Sequence, residues 1–265
     1  MRRILVRVSS AMVLALALSG ASGPVLAVDW TLGLGAGYEP DYEGSDHYRP
    51  VPLWNVKATN LFGPTTYTQL FATRLISNLL NDPNWRLGVA AQYVEDYDHV
   101  DDDKVEDLKG VDSSLLLGAV GGYDWNLGPG EVLGIALEAR ADVLHGNGYV
   151  ITLGPKYQVP FGNNEWLLNA SLNGSYASKD YMDNYFTVSQ SDAAAAGFDD
   201  THDADAGLKD VTAGLGLTYA IDSRWSVSGL GLYRQMVGDA KDSPVVDEVG
   251  DDQQWFGGVL VNYSF

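Results

Sequence analysis

The chain has 265 residues, with 16 Lys and Arg against 35 Asp and Glu, a net charge of −19, and no cysteine. Such an acidic balance excludes a nucleic-acid-binding role, which needs basic surface to neutralise phosphates. The absence of cysteine excludes disulfides and cysteine-based zinc sites, so stability must rest on burial and hydrogen bonding.

In chain order, the first feature is an export leader. Arg2, Arg3 and Arg7 precede a short apolar run from Val8 to Gly20, and Val25-Leu26-Ala27 offers a cleavage site. Residues 1–27 are therefore expected to be a secretory signal peptide, with residues 28–265 as one domain. Loss of the three leader arginines moves the net charge from −19 to −22.

Beyond the leader, the signal is alternation of period two. Trp30, Leu32, Leu34, Ala36 and Tyr38 alternate with Thr31, Gly33, Gly35 and Gly37. The same pattern returns in 85–97, 111–126, 132–144, 148–160, 166–176, 208–221, 225–236 and 254–265. Successive side chains of a strand point to opposite faces, so each segment carries one apolar face and one small or polar face. Segments 48–57 and 66–75 complete eleven. The stretch 58–84 is the weak region, since Thr65 to Leu80 alternates poorly; it either holds two short strands, giving twelve, or contributes less, giving ten.

Three features separate a membrane barrel from a soluble sandwich. The segments run about 9–12 residues, the length of a tilted strand crossing a bilayer. Trp and Tyr sit at the two ends of the apolar face: Trp30 with Tyr38, Trp85 with Tyr93, Trp166 with Tyr176, Trp225 with Tyr233. Aromatic girdles at both interfaces predict that placement. The opposite face is Gly, Ser, Thr and Asn with isolated charges. An open edge in hydrocarbon leaves backbone groups unpaired at several kcal/mol each, so the sheet must close. The expected fold is all-β, a closed antiparallel transmembrane β-barrel of an even number of strands, twelve, with ten as the alternative.

Connections alternate between short turns, at 128–130, 162–164 and 222–224, and long acidic loops, at 98–110, 177–207 and 237–253. Bacterial barrels place the short turns in the periplasm and the long loops outside. Within the longest loop, Ser189 followed by Asp192 forms a capping-box pattern and Gly197 a stop, predicting a short helix. It could cover the barrel mouth. Glu138, Arg140, Asp142, Lys156 and Arg234 should point into the lumen as an ion-pair network, because Lys or Arg on the lipid face costs roughly 2–4 kcal/mol at the midplane. A solute-selecting pore is the other reading of the same charges.

Several blocks resemble the MltA-interacting protein (MipA)/OmpV family of outer-membrane proteins. They are GLGAGYEPDYEGSDHYRPVPLWNV (33–56), NWRLGVAAQY (84–93), YFTVSQSDAAAAGF (185–198), AGLKDV (206–211), GDAKDSPVV (238–246) and the closing NYSF. The terminal Phe265 resembles the assembly signal of outer-membrane barrels. The resemblance implies residence in the outer membrane, amid lipid and lipopolysaccharide, and no shared catalytic residues. It also implies a scaffold role joining a lytic transglycosylase to a penicillin-binding protein, or an adhesin role.

The motif residues Gly37, Tyr38, Pro40, Tyr42, Gly44 and Asp46 read as an ordered outer loop, with Pro40 and Gly44 as turn formers. Gly238, Asp239, Asp242, Ser243 and Pro244 read as an acidic loop with a rigid turn, where a cation or lipopolysaccharide contact is the minority reading. The runs at Asp101-Asp102-Asp103 and Asp199-Asp200 lack the spacing of a calcium loop. His47, His99, His145 and His202 fall in loops or strand ends. A His99–Asp101 hydrolytic pair has no accompanying catalytic motif. No catalytic, cofactor or metal site is expected. The expected function is a non-enzymatic scaffold or anchor, with a narrow pore or an adhesin as alternatives.

Overall fold

The computed structural model describes residues 27–96, 100–108 and 111–265. The predicted leader thus lies outside the described residues, up to Ala27, and so does His99. Twelve antiparallel strands close into one barrel: β1 (Asp29–Pro40), β2 (Tyr48–Thr59), β3 (Tyr67–Phe71), β4 (Arg74–Asn78), β5 (Trp85–Val94), β6 (Ser114–Gly128), β7 (Glu131–Asp142), β8 (Tyr149–Phe161), β9 (Trp166–Ala177), β10 (Gly207–Ala220), β11 (Trp225–Met236) and β12 (Gln253–Ser264). Each strand pairs with its sequence neighbour, and β1 closes the cylinder on β12 from Thr31↔Ser264 to Tyr38↔Gly257. The region of poor alternation resolves into two strands of five residues, β3 and β4, which bring the number to twelve.

The apolar faces point outward. Leu34 is 74% exposed, Leu215 61% and Val259 55%. A continuous band of such side chains would be untenable in water and is at home in hydrocarbon. Two aromatic belts bound it. At one end Trp85, Tyr123 and Trp125 contact in sequence, as do Phe161, Trp166 and Tyr219, and Trp225, Tyr263 and Phe265. At the other end Tyr38 stacks on Tyr48 and Tyr233 packs on Trp255.

The turn chemistry explains why Trp opens several upward strands. Asp82 accepts backbone hydrogen bonds from Asn84 and Trp85, and Asp222 accepts them from Arg224 and Trp225. These bonds hold both carboxyls below their usual range. Asn163 and Asn164 take left-handed φ of 58° and 67° in the turn before Trp166, the conformation a tight hairpin with matching twist requires.

A few apolar side chains, such as Leu53, Leu116 and Leu260, are buried inside the barrel, but the main apolar cluster lies above it, in the long loops. Among the described residues five short helices form there: α1 (Asp103–Glu106), α2 (Lys179–Phe186), α3 (Gln190–Ala196), α4 (Gly238–Lys241) and α5 (Pro244–Asp247). α3 is the helix predicted from Ser189, Asp192 and Gly197. Both halves of its capping box form, and Gly197 closes it at φ 77°. α2 was not expected from the sequence, and α1, α4 and α5, of four residues each, are too short to show a period.

Candidate functional site: the roofed outer mouth and the charged lumen

The loops after β1, β5, β9 and β11 meet in one buried cluster. Tyr42, Val105, Tyr181, Met182, Phe186, Val188, Phe198, Val245 and Val246 belong to it. So do Val150, Ala177 and Met236, which stand at the upper ends of β8, β9 and β11 on their inward faces. The cluster is therefore seated on the lumen wall itself and roofs the mouth.

The two motif blocks of the sequence are the two halves of this roof's joint. Ser45, fully buried, bridges Gly250, and the Asp251 N–H donates to the Gly44 carbonyl at 2.9 Å. Gly44 has φ of 106°, and a Cβ there would fall 2.7 Å from a Val246 methyl, so only glycine fits. Tyr42 is buried, while Tyr38 and Asp46 are exposed. Asp46 pairs with His47 at 3.1 Å. Gly37 faces the lumen against Leu53. Pro40 ends β1.

In the second block, Gly238 takes φ of 57°. Asp239 accepts from the Asp205 N–H at 2.7 Å, and its carbonyl contacts the His202 ring at 2.9 Å. Asp242 ends α4. Ser243, with Pro244 behind it, caps α5 and donates its hydroxyl to the Phe186 carbonyl at 2.7 Å. That bond ties the last two outer loops together.

Beneath the roof a latch of charges joins loop to wall. Glu43 descends from the first loop to meet Lys209 at 2.5 Å and Arg234 at 3.1 Å, and it accepts the Tyr181 hydroxyl at 3.0 Å. Burial pushes the Glu43 carboxyl up, but Lys209 and Arg234 outweigh it and hold the group below its usual range. Asp210 completes the cluster by pairing with Lys209 at 2.6 Å. Lys209 escapes simple alternation, which puts it on the lipid face with Val211. A bulge between Leu208 and Asp210 turns it inward.

Of the expected lumen charges, Glu138, Arg140, Asp142, Lys156 and Arg234 all face inward by register. Glu138 is shared by Arg74 and Arg140. Asp124 is shared by Arg86 at 2.9 Å and Lys156 at 3.2 Å. Asp142 forms no ion pair among the described residues. It accepts the backbone N–H groups of Leu144, His145 and Asn147 and shapes the short outer loop. The sequence reading omitted Arg74, Arg86, Asp124 and Glu43. Arg86 and Asp124 lie on inward positions of alternating strands and were open to the same parity argument, whereas Arg74 falls in the stretch that alternates poorly, where Ile76 shares its inward face. Glu43 sits in a loop, where no periodicity exists.

Among the described residues, no group of three or more His, Asp or Glu is placed to hold a metal ion. His145 is exposed, and His202 is engaged by the roof. Phe265 packs on Tyr263 in the lower belt and donates its N–H to the Trp30 carbonyl at 3.0 Å, on the β1–β12 seam.

Two curated relatives are similar to this chain in sequence. Outer membrane protein OmpV of Vibrio cholerae is 30% identical over 181 residues, covering 62% of this chain and 61% of the relative. Outer membrane protein Omp26La of Vibrio anguillarum gives the same identity and coverage. The chain thus spans less than two thirds of the length of these relatives. Among solved structures, the NanC porin aligns at TM-score 0.47 and 9% identity, covering 88% of this chain and 98% of its own. An outer membrane channel from Pseudomonas putida F1 aligns at TM-score 0.43 and 14% identity, covering 93% and 100%. The protein resides in the outer membrane, as these relatives do. The profile of the MltA-interacting protein MipA family matches residues 32–265, and the chain belongs to that family.

Proposed function

We propose that this barrel is a sealed, non-enzymatic anchor that holds a murein-processing enzyme at the inner face of the outer membrane. The observation that carries the reading is the roof. Its apolar cluster rests on inward-facing Val150, Ala177 and Met236, and its latch crosses from the first loop to β10 and β11. A barrel filled at its mouth is poorly suited to passing solutes through, which leaves its two ends as working surfaces. The family is described by its interaction with MltA, which supports a lytic transglycosylase as the periplasmic partner; a penicillin-binding protein as a further member of the assembly belongs to the proposal alone.

The periplasmic end offers short turns, so the contact is small and suits a transient complex rather than an obligate one. The test is binding of a purified lytic transglycosylase to the protein embedded in lipid nanodiscs, with an unrelated barrel of similar size as control. Saturable binding to this barrel alone is expected. Equal binding to both, or none, would overturn the proposal.

A further inference from the structure

The lumen between roof and periplasmic rim has the opposite charge to the rest of the chain. Lys57, Arg74, Arg86, Arg140 and Lys156 face inward there against the carboxylates Asp124 and Glu138, while the inward-facing Asp142 above them is taken up by the backbone N–H groups of the short outer loop. Each of the two carboxylates is already shared by two cations. Among the described residues, Lys57 has only the Tyr67 ring, 5.5 Å from its Nζ. A carboxylate held between two cations leaves one positive charge uncompensated, and enclosure by protein strengthens its field.

One such surplus charge borders an empty space. A cavity of about 320 Å³ opens against the wall formed by β8 to β11, lined by Lys156, Gln158, Asn169, Ser171, Leu230 and Leu232. The Lys156 side chain is 36% exposed and reaches the cavity while holding Asp124. Among the described residues, the side chains of Asn169 and Ser171 form no hydrogen bond to protein, so the amide and hydroxyl are available to a guest. The space exists because Gly214 and Gly216 line it too. A Cβ at Gly214 would fall 2.7 Å from Ser171 Oγ and 2.8 Å from a Leu232 methyl.

We propose that this cavity binds a small organic acid reaching it from the periplasmic end. Lys156 supplies the charge for the carboxylate, and Asn169, Ser171 and Gln158 supply hydrogen bonds to it or to adjacent hydroxyls. Leu230 and Leu232 pack the carbon skeleton. The pattern is that of a binding pocket: apolar wall, a few convergent donors and one charged residue. The volume lies at the lower end of the range of small-molecule sites. The site stands independently of the partner named above.

The test compares glucuronate, glucose and inorganic phosphate by calorimetric titration into the full chain in detergent. Glucuronate and glucose differ at one carbon, where a carboxylate replaces a hydroxymethyl. Glucuronate should bind at least about tenfold more tightly than glucose, the gain expected of one charge-assisted contact. Its affinity should fall as salt is raised, and Lys156→Gln should remove the preference. Equal binding of glucuronate and glucose, binding of phosphate alone, or an unchanged preference in K156Q would overturn the proposal. Gly216→Leu provides a second variant that keeps every cation. The nearest atom to a Cβ there is Asn169 Cβ at 3.8 Å, so the side chain enters open space. Glucuronate binding should be lost in G216L. Retention there would also contradict the site.

Discussion

At the scale of single residues, Glu43 is the point where loop, wall and roof are joined. Its carboxylate contacts Lys209, Arg234 and the Tyr181 hydroxyl, with Asp210 also facing Lys209. Removing one member of a buried charge cluster leaves the others uncompensated, so Glu43→Gln should cost the roof about 3 kcal/mol. The pH dependence has a definite sign. The folded-state pKa of Glu43 is depressed, so its contribution is fully present above the unfolded value of about 4.3 and is lost as pH falls through the lower folded value. Glu248 acts in the same direction. Burial raises its carboxyl, but the N–H groups of Asp199 and Asp200 and the Lys104 ammonium outweigh that and lower it. The protection of residues 178–206 against hydrogen exchange in nanodiscs, taken relative to the intrinsic rate at each pH, should therefore be flat near neutral pH and fall under acid. In Glu43→Gln the protection should be lower at neutral pH and less dependent on acid. Superimposable profiles would contradict the latch.

At the scale of elements, the short hairpin β3–β4 leaves the upper half of β2 without a neighbour on one side. β3 pairs only with residues 55–59 of β2, while β1 pairs with all of it on the other side. The Trp54 carbonyl accepts from the Ala72 N–H, so the backbone groups of even-numbered β2 residues point toward the hairpin side. At positions 50 and 52 on that open edge the residues are Pro50 and Pro52, which have no N–H to leave unpaired in hydrocarbon. Arg49, at the top of the edge, pairs with Glu39, Asp41 and Glu95, and so ties β2 to the residue following β5 across the missing wall. Replacing both prolines by valine restores two N–H groups on an exposed edge. The folded fraction in lipid should fall, and self-association through β2 should rise. Unchanged yield and a purely monomeric product would refute this reading of the edge.

At the scale of the molecule, the barrel could be read from the sequence because its rule is repetitive. Period two, Trp and Tyr at segment ends, and short turns alternating with long loops all report one solvent arrangement, lipid outside and polar lumen inside. The lumen positions of Arg140 and Lys156 followed from the same parity. The roof could not be read in the same way. Its helices are at most eight residues, its latch depends on a bulge at Leu208–Asp210, and its core is assembled from loops distant in sequence. Only α3 announced itself, through its caps rather than through any period. The chain thus separates its charges by place: carboxylates on the exposed outer loops, as at Asp199, Asp200 and Asp203, and surplus cations in the lumen.

The most direct test of a roofed barrel is conductance in a planar bilayer, comparing the full chain with a variant lacking residues 186–200. That segment contains Phe186, Val188, α3 and Phe198, which form much of the roof's core. The intact protein should insert and remain electrically silent at neutral pH, and the deletion should give steady channels. Steady open channels from the intact protein, or silence from a deletion variant shown to be folded and inserted, would contradict it.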